Sequence, residues 1–207
     1  MLFANDYRTI TKPAFGEFKD KGSVFLSFIH PISSESEFKG ILESIKKAHP
    51  KANHHCYAFA LGPAHQAHRF SDDQEPSGTA GRPMMSVIKS NDLTDVMIVV
   101  VRYFGGTLLG VPGLIHAYRK ASEAAVSNAT VITKRIREKY ELEFPYVRIG
   151  EMEHLFRKYE IDVLERKQND YCVFLLDIPK EHSPVFIDII RNGYPFMTDC
   201  KISLIDR

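Results

Sequence analysis

The chain is short of the features that usually announce a chemistry. It has three cysteines, Cys56, Cys172 and Cys200, and they stand far apart. An odd number of isolated thiols argues against a disulfide framework and suits a reducing compartment, so a cytoplasmic protein is expected. No C-x-x-C pair occurs, so neither a bound metal nor a cofactor is expected. No sign of charge prevails: Lys plus Arg is 27 and Asp plus Glu is 26. Without an overall basic field, nucleic acid can be bound only through a local patch. No apolar run approaches the length of a membrane span, and acidic Asp6 is unlike a signal peptide, so no membrane partner is expected. Repeats and low-complexity tracts are absent too.

What is present is 207 residues of ordinary globular composition, enough for one large domain or two small ones. Residues 1 to 23 are mixed. Val24 to His30 alternates like a strand. Ser33 or Ser34 with Glu37 has the form of a capping box, and Phe38, Ile41, Leu42 and Ile45 follow at helical spacing. His54 to Leu61 reads as a strand whose one face carries only small Cys56, Ala58 and Ala60. Residues 62 to 82 read as a long polar loop. Met84, Val87 and Ile88 then mark a helix. Val96 to Val101 lacks polar alternation and predicts a strand covered on both faces. A helix opened by Pro112 runs to about Asn128.

From about residue 131 the rhythm changes. Tyr140, Leu142 and Phe144 alternate with charged neighbours. A helix over 147–159, strands over 162–167 and 171–178, a helix opened by Pro184 and a strand over 196–205 follow. This order is the split ferredoxin-like pattern. The expectation is an α+β protein of two domains, 1–130 and 131–207.

Candidate chemistry concentrates between residues 71 and 118. Asp72, Asp73 and Glu75 can hold a cation or act as acid and base; the competing reading pairs them with Arg69, Arg82 or Arg102. Ser77 to Gly81, including Thr79, can present backbone N–H groups to an anion, or can simply cap the next helix through Thr79. Gly105 to Gly110 has the glycine spacing of a phosphate loop, but Val111-Pro112 stands where Lys-Ser/Thr should follow, which disfavours an NTPase. Arg102-Tyr103-Phe104, with Gly105 and Gly106 behind it, can stack on bases, although one aromatic is expected to plug the sheet end. His54-His55-Cys56 suggests metal or thiol chemistry, but no second ligand pair follows and Cys56 alternates with alanines.

These stretches carry a resemblance. Ala52 to Ala58, DDQEPSGTAGRPM, RYFGGTLLG and Gly113 to Tyr118 are similar to the motifs of the YigZ/IMPACT family. The likeness implies a first domain like the second domain of ribosomal protein S-five. It also implies a second domain like the ferredoxin-like domains of elongation factor G. The eukaryotic relatives act in translational control, competing for the partner that activates the amino-acid-starvation kinase. Bacterial members have been associated with nucleic-acid or ribosome binding, without a settled reaction. Three departures matter: Gln74 stands where the family commonly has Gly, Val111-Pro112 where it commonly has Ala-Gly, and His116 where it commonly has Arg, which removes one candidate phosphate contact.

Two functions are therefore weighed. One is a non-enzymatic regulatory module of translation that binds RNA, the ribosome or a translation-control protein. Its binding residues would be Asp72, Asp73, Glu75, Ser77, Thr79, Gly81, Arg82, Arg102, Tyr103, Gly105 and Gly106. The basic run Lys134, Arg135, Arg137 and Lys139 would add to them. The other is a hydrolase-like small-molecule enzyme that uses the acidic cluster with His55. Geometry discriminates: an enzyme needs carboxylates converging on a pocket with an unpaired base. Oligomeric state is left open.

Overall fold

The computed structural model describes residues 5–192, 197 and 199–205. They form a mixed α/β structure in two compact units, one over Asp6–Lys134 and one from Arg135 onward.

In the first unit, β1 is Asp6–Ile10, β2 Ala14–Asp20, β3 Ser23–Pro31, β4 His54–Leu61, β5 Ala67–Ser71 and β6 Val96–Tyr103. Helices α1, α2 and α3 span Glu35–Ala48, Gly81–Ser90 and Gly110–Ser127. Five strands make one sheet in the order β2-β3-β6-β4-β5, and every pair is antiparallel. The central strand, β6, is buried on both faces, as its unbroken apolar run predicts. On one face Phe25, Ile29, Ile98 and Val100 pack with Met84, Ile88, Leu114, Tyr118 and Ala121 of α2 and α3. Cys56, Ala58 and Ala60 let α2 lie close on β4. On the other face Phe38 and Ile45 of α1 pack over Phe59, Met97, Val99 and Val101. The capping box forms: Ser34 Oγ accepts from Glu37 N at 3.2 Å, and Glu37 Oε2 accepts from Ser33 N at 2.8 Å.

Four strands are not visible in the sequence: β1, β2, β5 and β7 (Val131–Arg135), the last at the expected domain boundary. The first two, β1 and β2, lie in the stretch taken as mixed. In β2, Gly16 faces inward because a Cβ there would stand 2.3 Å from Ala125 N of α3. The inner row of β2 is therefore too small to register as an apolar alternation. The third, β5, lies in the stretch taken as a loop. It is an edge strand bonded only to β4, and His68, Arg69 and Phe70 are exposed. An edge strand exposed along its centre leaves no hydrophobic period to read.

The strand β7, Val131–Arg135, pairs with β1, so the first unit extends somewhat past the division expected at residue 130. The second unit continues with β8 Arg137–Pro145, a 3₁₀ turn Tyr146–Arg148, α4 Ile149–Lys158, β9 Asp162–Gln168, β10 Tyr171–Pro179, α5 Ser183–Asn192 and β11 Lys201–Leu204. Its sheet has the order β11-β8-β10-β9, all antiparallel. Tyr140, Leu142, Phe144, Phe174 and Leu176 meet Met152, Phe156, Phe186 and Ile190 in one core. The last strand expected over 196–205 is described only as β11; Phe196 lies outside the described residues.

The basic run does not form a free positive stripe. Arg135 pairs with Glu160 and Glu181, and Arg137 pairs with Asp162 at 2.8 Å and Asp177 at 3.0 Å. Nearby acids thus compensate the two arginines expected to attract an anion.

Candidate binding site

Each of the three carboxylates has its own internal partner. Asp72 accepts from three backbone amides at the start of α2: Gly78 N at 2.8 Å, Ala80 N at 3.0 Å and Gly81 N at 2.8 Å. A helix start leaves its first N–H groups unsatisfied, and a carboxylate there also complements the dipole. The expected anion site over Ser77–Gly81 is therefore filled from within the chain, by a residue several positions upstream. Thr79 is not the cap; it is buried and donates to Pro76 O at 2.7 Å. Asp73 Oδ2 accepts from His55 N at 2.6 Å, which ties the acidic loop to β4.

Glu75 is the buried member. Its Oε1 accepts from Arg102 Nη1 at 2.6 Å and from Tyr118 Oη at 2.8 Å, with His54 Nε2 at 3.8 Å. Arg102 is only 5% exposed. It lies between two rings, with Cζ 5.4 Å from the Phe25 centroid and 5.6 Å from that of Phe104. One side chain thus joins the end of β6, the acidic loop and the middle of α3. A buried charge pair of this kind needs good bonds to both members; Glu75 accepts two, whereas Arg102 uses only Nη1.

Arg82 and Arg102 do not share the acids between them. Arg82 is exposed on the first turn of α2 and makes no ion pair among the described residues. Tyr103, expected as a stacking residue, turns to the α1 face, where its Oη meets His49 Nδ1 at 2.9 Å. Gly105 is fixed by a close approach: a Cβ would stand 1.9 Å from Gly22 C. Ser77 and Gly106 are exposed.

Sequence reasoning gave His54 and Tyr118 no part in this network. His54 holds Asp73 O through Nδ1 at 2.8 Å. Tyr118 sits at helical spacing among apolar residues, so its hydroxyl gave no signal. Asn53 was also passed over; its Oδ1 accepts from Phe104 N at 2.9 Å and anchors the start of the glycine loop.

The histidine–cysteine stretch does not build a metal or thiol centre. Among the described residues no group of three His, Cys, Asp or Glu could hold a metal ion. Cys56 is fully buried and lies 2.9 Å from Asp72 O, and burial pushes its thiol far up from the usual range. Burial does the same to the Tyr118 hydroxyl. Both groups stay protonated and neither is a nucleophile at neutral pH. Burial also lowers His55, which remains neutral and bonds to His49 O at 3.1 Å through Nε2.

The Impact N-terminal domain matches residues 21–126, which span strands β3 to β6 of the sheet, the acidic loop and the glycine loop. The chain belongs to the IMPACT family. It is 30% identical to the IMPACT family member YvyE of Bacillus subtilis over 98% of this chain and 95% of that protein. It is 33% identical to the IMPACT family member YigZ of Escherichia coli over 75% of this chain and 76% of that protein. A solved structure of a hypothetical protein superposes with a TM-score of 0.73 at 25% identity, covering 99% of this chain and all of the other.

The Gln74 departure now has a physical meaning. Gln74 has φ +72° and follows Asp73 at +41°, so two consecutive side-chain-bearing residues occupy left-handed backbone. Glycine meets no Cβ penalty there, whereas other residues pay about 1–2 kcal/mol. The Gln74 side chain is exposed. Gln74→Gly should therefore raise stability by roughly 0.5–1 kcal/mol, once the greater freedom of glycine in the unfolded chain is subtracted. Urea denaturation checks this. A lowered midpoint would mean that the glutamine side chain contributes a bond outweighing the backbone strain.

Proposed function

We propose that this chain is a non-enzymatic regulatory module of translation, which binds RNA, the ribosome or a translation-control protein. The observation that carries this reading is the engagement of the acidic cluster. Asp72 serves α2, Asp73 serves β4, and Glu75 serves Arg102 and Tyr118. A hydrolytic centre would need these carboxylates aimed at one shared substrate position beside an unpaired base. Membership of the IMPACT family supports the same reading.

The binding face in this reading is the loop end of the first sheet. Phe104, Gly105, Gly106, Thr107 and Leu108 are exposed in succession after a strand buried from Val96 to Arg102. Leu108 is 83% exposed and Val111 is also exposed, an unusual apolar display beside glycines. The proposed kinship with the second domain of ribosomal protein S-five and with the domains of elongation factor G belongs to this reading too. So does a cytoplasmic location; among the described residues no helix is long and apolar enough to cross a membrane.

Leu108→Asp tests the face without touching the core. Co-sedimentation with ribosomes and with total RNA should fall about tenfold, the size of one lost interface anchor, while the thermal midpoint stays unchanged. Unaltered co-sedimentation would remove the loop from the interface.

A further inference from the structure

We infer that Arg102 is the floor of a phosphate site for which the Phe104 ring is a movable cover. This deepens the proposed binding role of the β6–α3 loop and rests on it. The starting point is an imbalance in hydrogen bonding. Arg102 Nη1 is bonded to Glu75, but Arg102 Nε is buried and has no acceptor. Among the described residues Glu75 is the only side chain that bonds the guanidinium. The edge made by Nε and Nη2 therefore has two donors and no protein acceptor. Buried donors in folded proteins are nearly always paired, and an exception calls for a reason. That edge is also the one with which arginine takes an oxyanion in a two-point bond.

The surroundings favour phosphate. Phe104 lies on one side of the guanidinium and is 45% exposed, so its ring stands between that side of Arg102 and solvent. The Phe104 amide is held by Asn53 Oδ1, so the ring can rotate away while the backbone stays in place. Beyond it the chain enters α3 at Gly110 with no side-chain cap and no acid in the first turn, in contrast to α2, which Asp72 caps. The amides of such a helix start favour an anion. The β2–β3 turn closes against Gly105, since a Cβ on Gly22 would stand 2.9 Å from Gly105 O. That turn brings exposed Lys21, which has no ion pair among the described residues, together with half-buried Asp20. The positive charge of Arg102 is balanced by Glu75, so Lys21 and the helix start supply the net attraction.

The phosphate can come from a small molecule or from an RNA backbone, and a titration separates the two. The Arg102 Nε–H resonance of the full chain is followed by ¹⁵N-edited NMR. Inorganic phosphate and a short single-stranded RNA are added in turn, at constant ionic strength made up with chloride. Phosphate should shift the resonance in a saturable way, and chloride alone should not. Phe104→Ala, which removes the cover, should tighten phosphate binding about fivefold. Arg102→Lys should lose the response, but Phe104→Ala decides the matter even where that variant does not fold. An RNA-backbone source predicts the same shift with the oligonucleotide at lower concentration; a small-molecule source predicts it with phosphate alone. No response in either the wild type or Phe104→Ala, or an Nε–H that exchanges only with a bound water, overturns the site. Ribosome co-sedimentation on the same samples keeps the two ideas apart. If binding persists without a phosphate response, the phosphate site is wrong and the binding face stands. If ribosomes and RNA are not bound at all, the broader reading is wrong.

Discussion

Glu75→Ala should lower the stability of the chain by about 4 kcal/mol, because it leaves a buried arginine without its carboxylate. The side chains of Glu75 and Arg102 are 3% and 6% exposed. Water cannot take over the lost role without opening the loop. The Tyr118 hydroxyl loses its acceptor in the same step. A surface pair of the same length would contribute less than about 1 kcal/mol, so burial decides the magnitude. Removing both charges should cost less than the two single changes together. Glu75→Leu with Arg102→Met leaves no orphaned charge, and apolar replacement of a buried pair is often close to neutral. A double-mutant cycle in urea reads the difference directly. Strictly additive single costs would mean that the two side chains do not hold one another.

Asp72→Ala should cost about 3 kcal/mol. A simple helix cap contributes about 1 kcal/mol, but here one carboxylate serves three amides, and bonds to a charged acceptor are the stronger kind. Asp72→Asn keeps an acceptor oxygen and should lose only part of this. Amide exchange at Gly78, Ala80 and Gly81 localises the effect: these amides should lose protection in Asp72→Ala before the sheet does. Uniform loss across the first unit would point to a global role for Asp72 instead of a cap.

Much of the fold was legible because the elements advertise themselves by period. The unbroken Val96–Val101 run announced the central strand, and the Tyr140–Phe144 alternation announced β8. The element order of the second unit followed from such patterns alone. Two of the strands that escaped, β2 and β5, lack a readable period for a physical reason. Gly16 has no side chain to show inward, and β5 is an edge strand exposed along its centre.

That the acidic stretch and the end of β6 would meet was legible, and their wiring less so. The stretches around Asp72 and Arg102 do meet, through Glu75. What sequence cannot assign is which acid takes which partner. That choice depends on burial, and burial selects Glu75 for Arg102 and leaves Arg82 exposed. Asp72 reaches the amides because positive φ at Asp73 and Gln74 turns the loop back on itself. Tyr118 gave no signal because a tyrosine in an apolar helical stripe looks like any other core residue.

The account holds that the acidic segment works inward while the β6–α3 loop works outward. Site-specific photocrosslinking in cells tests this most directly. A benzophenone side chain is placed at Leu108 in one sample and in another at Glu123 on α3, whose side chain is 41% exposed. Crosslinks to ribosomal RNA, ribosomal protein or a translation-control protein at position 108, and none at 123, are the predicted result. Equal labelling at both positions, or none at 108 while 123 is labelled, would contradict it.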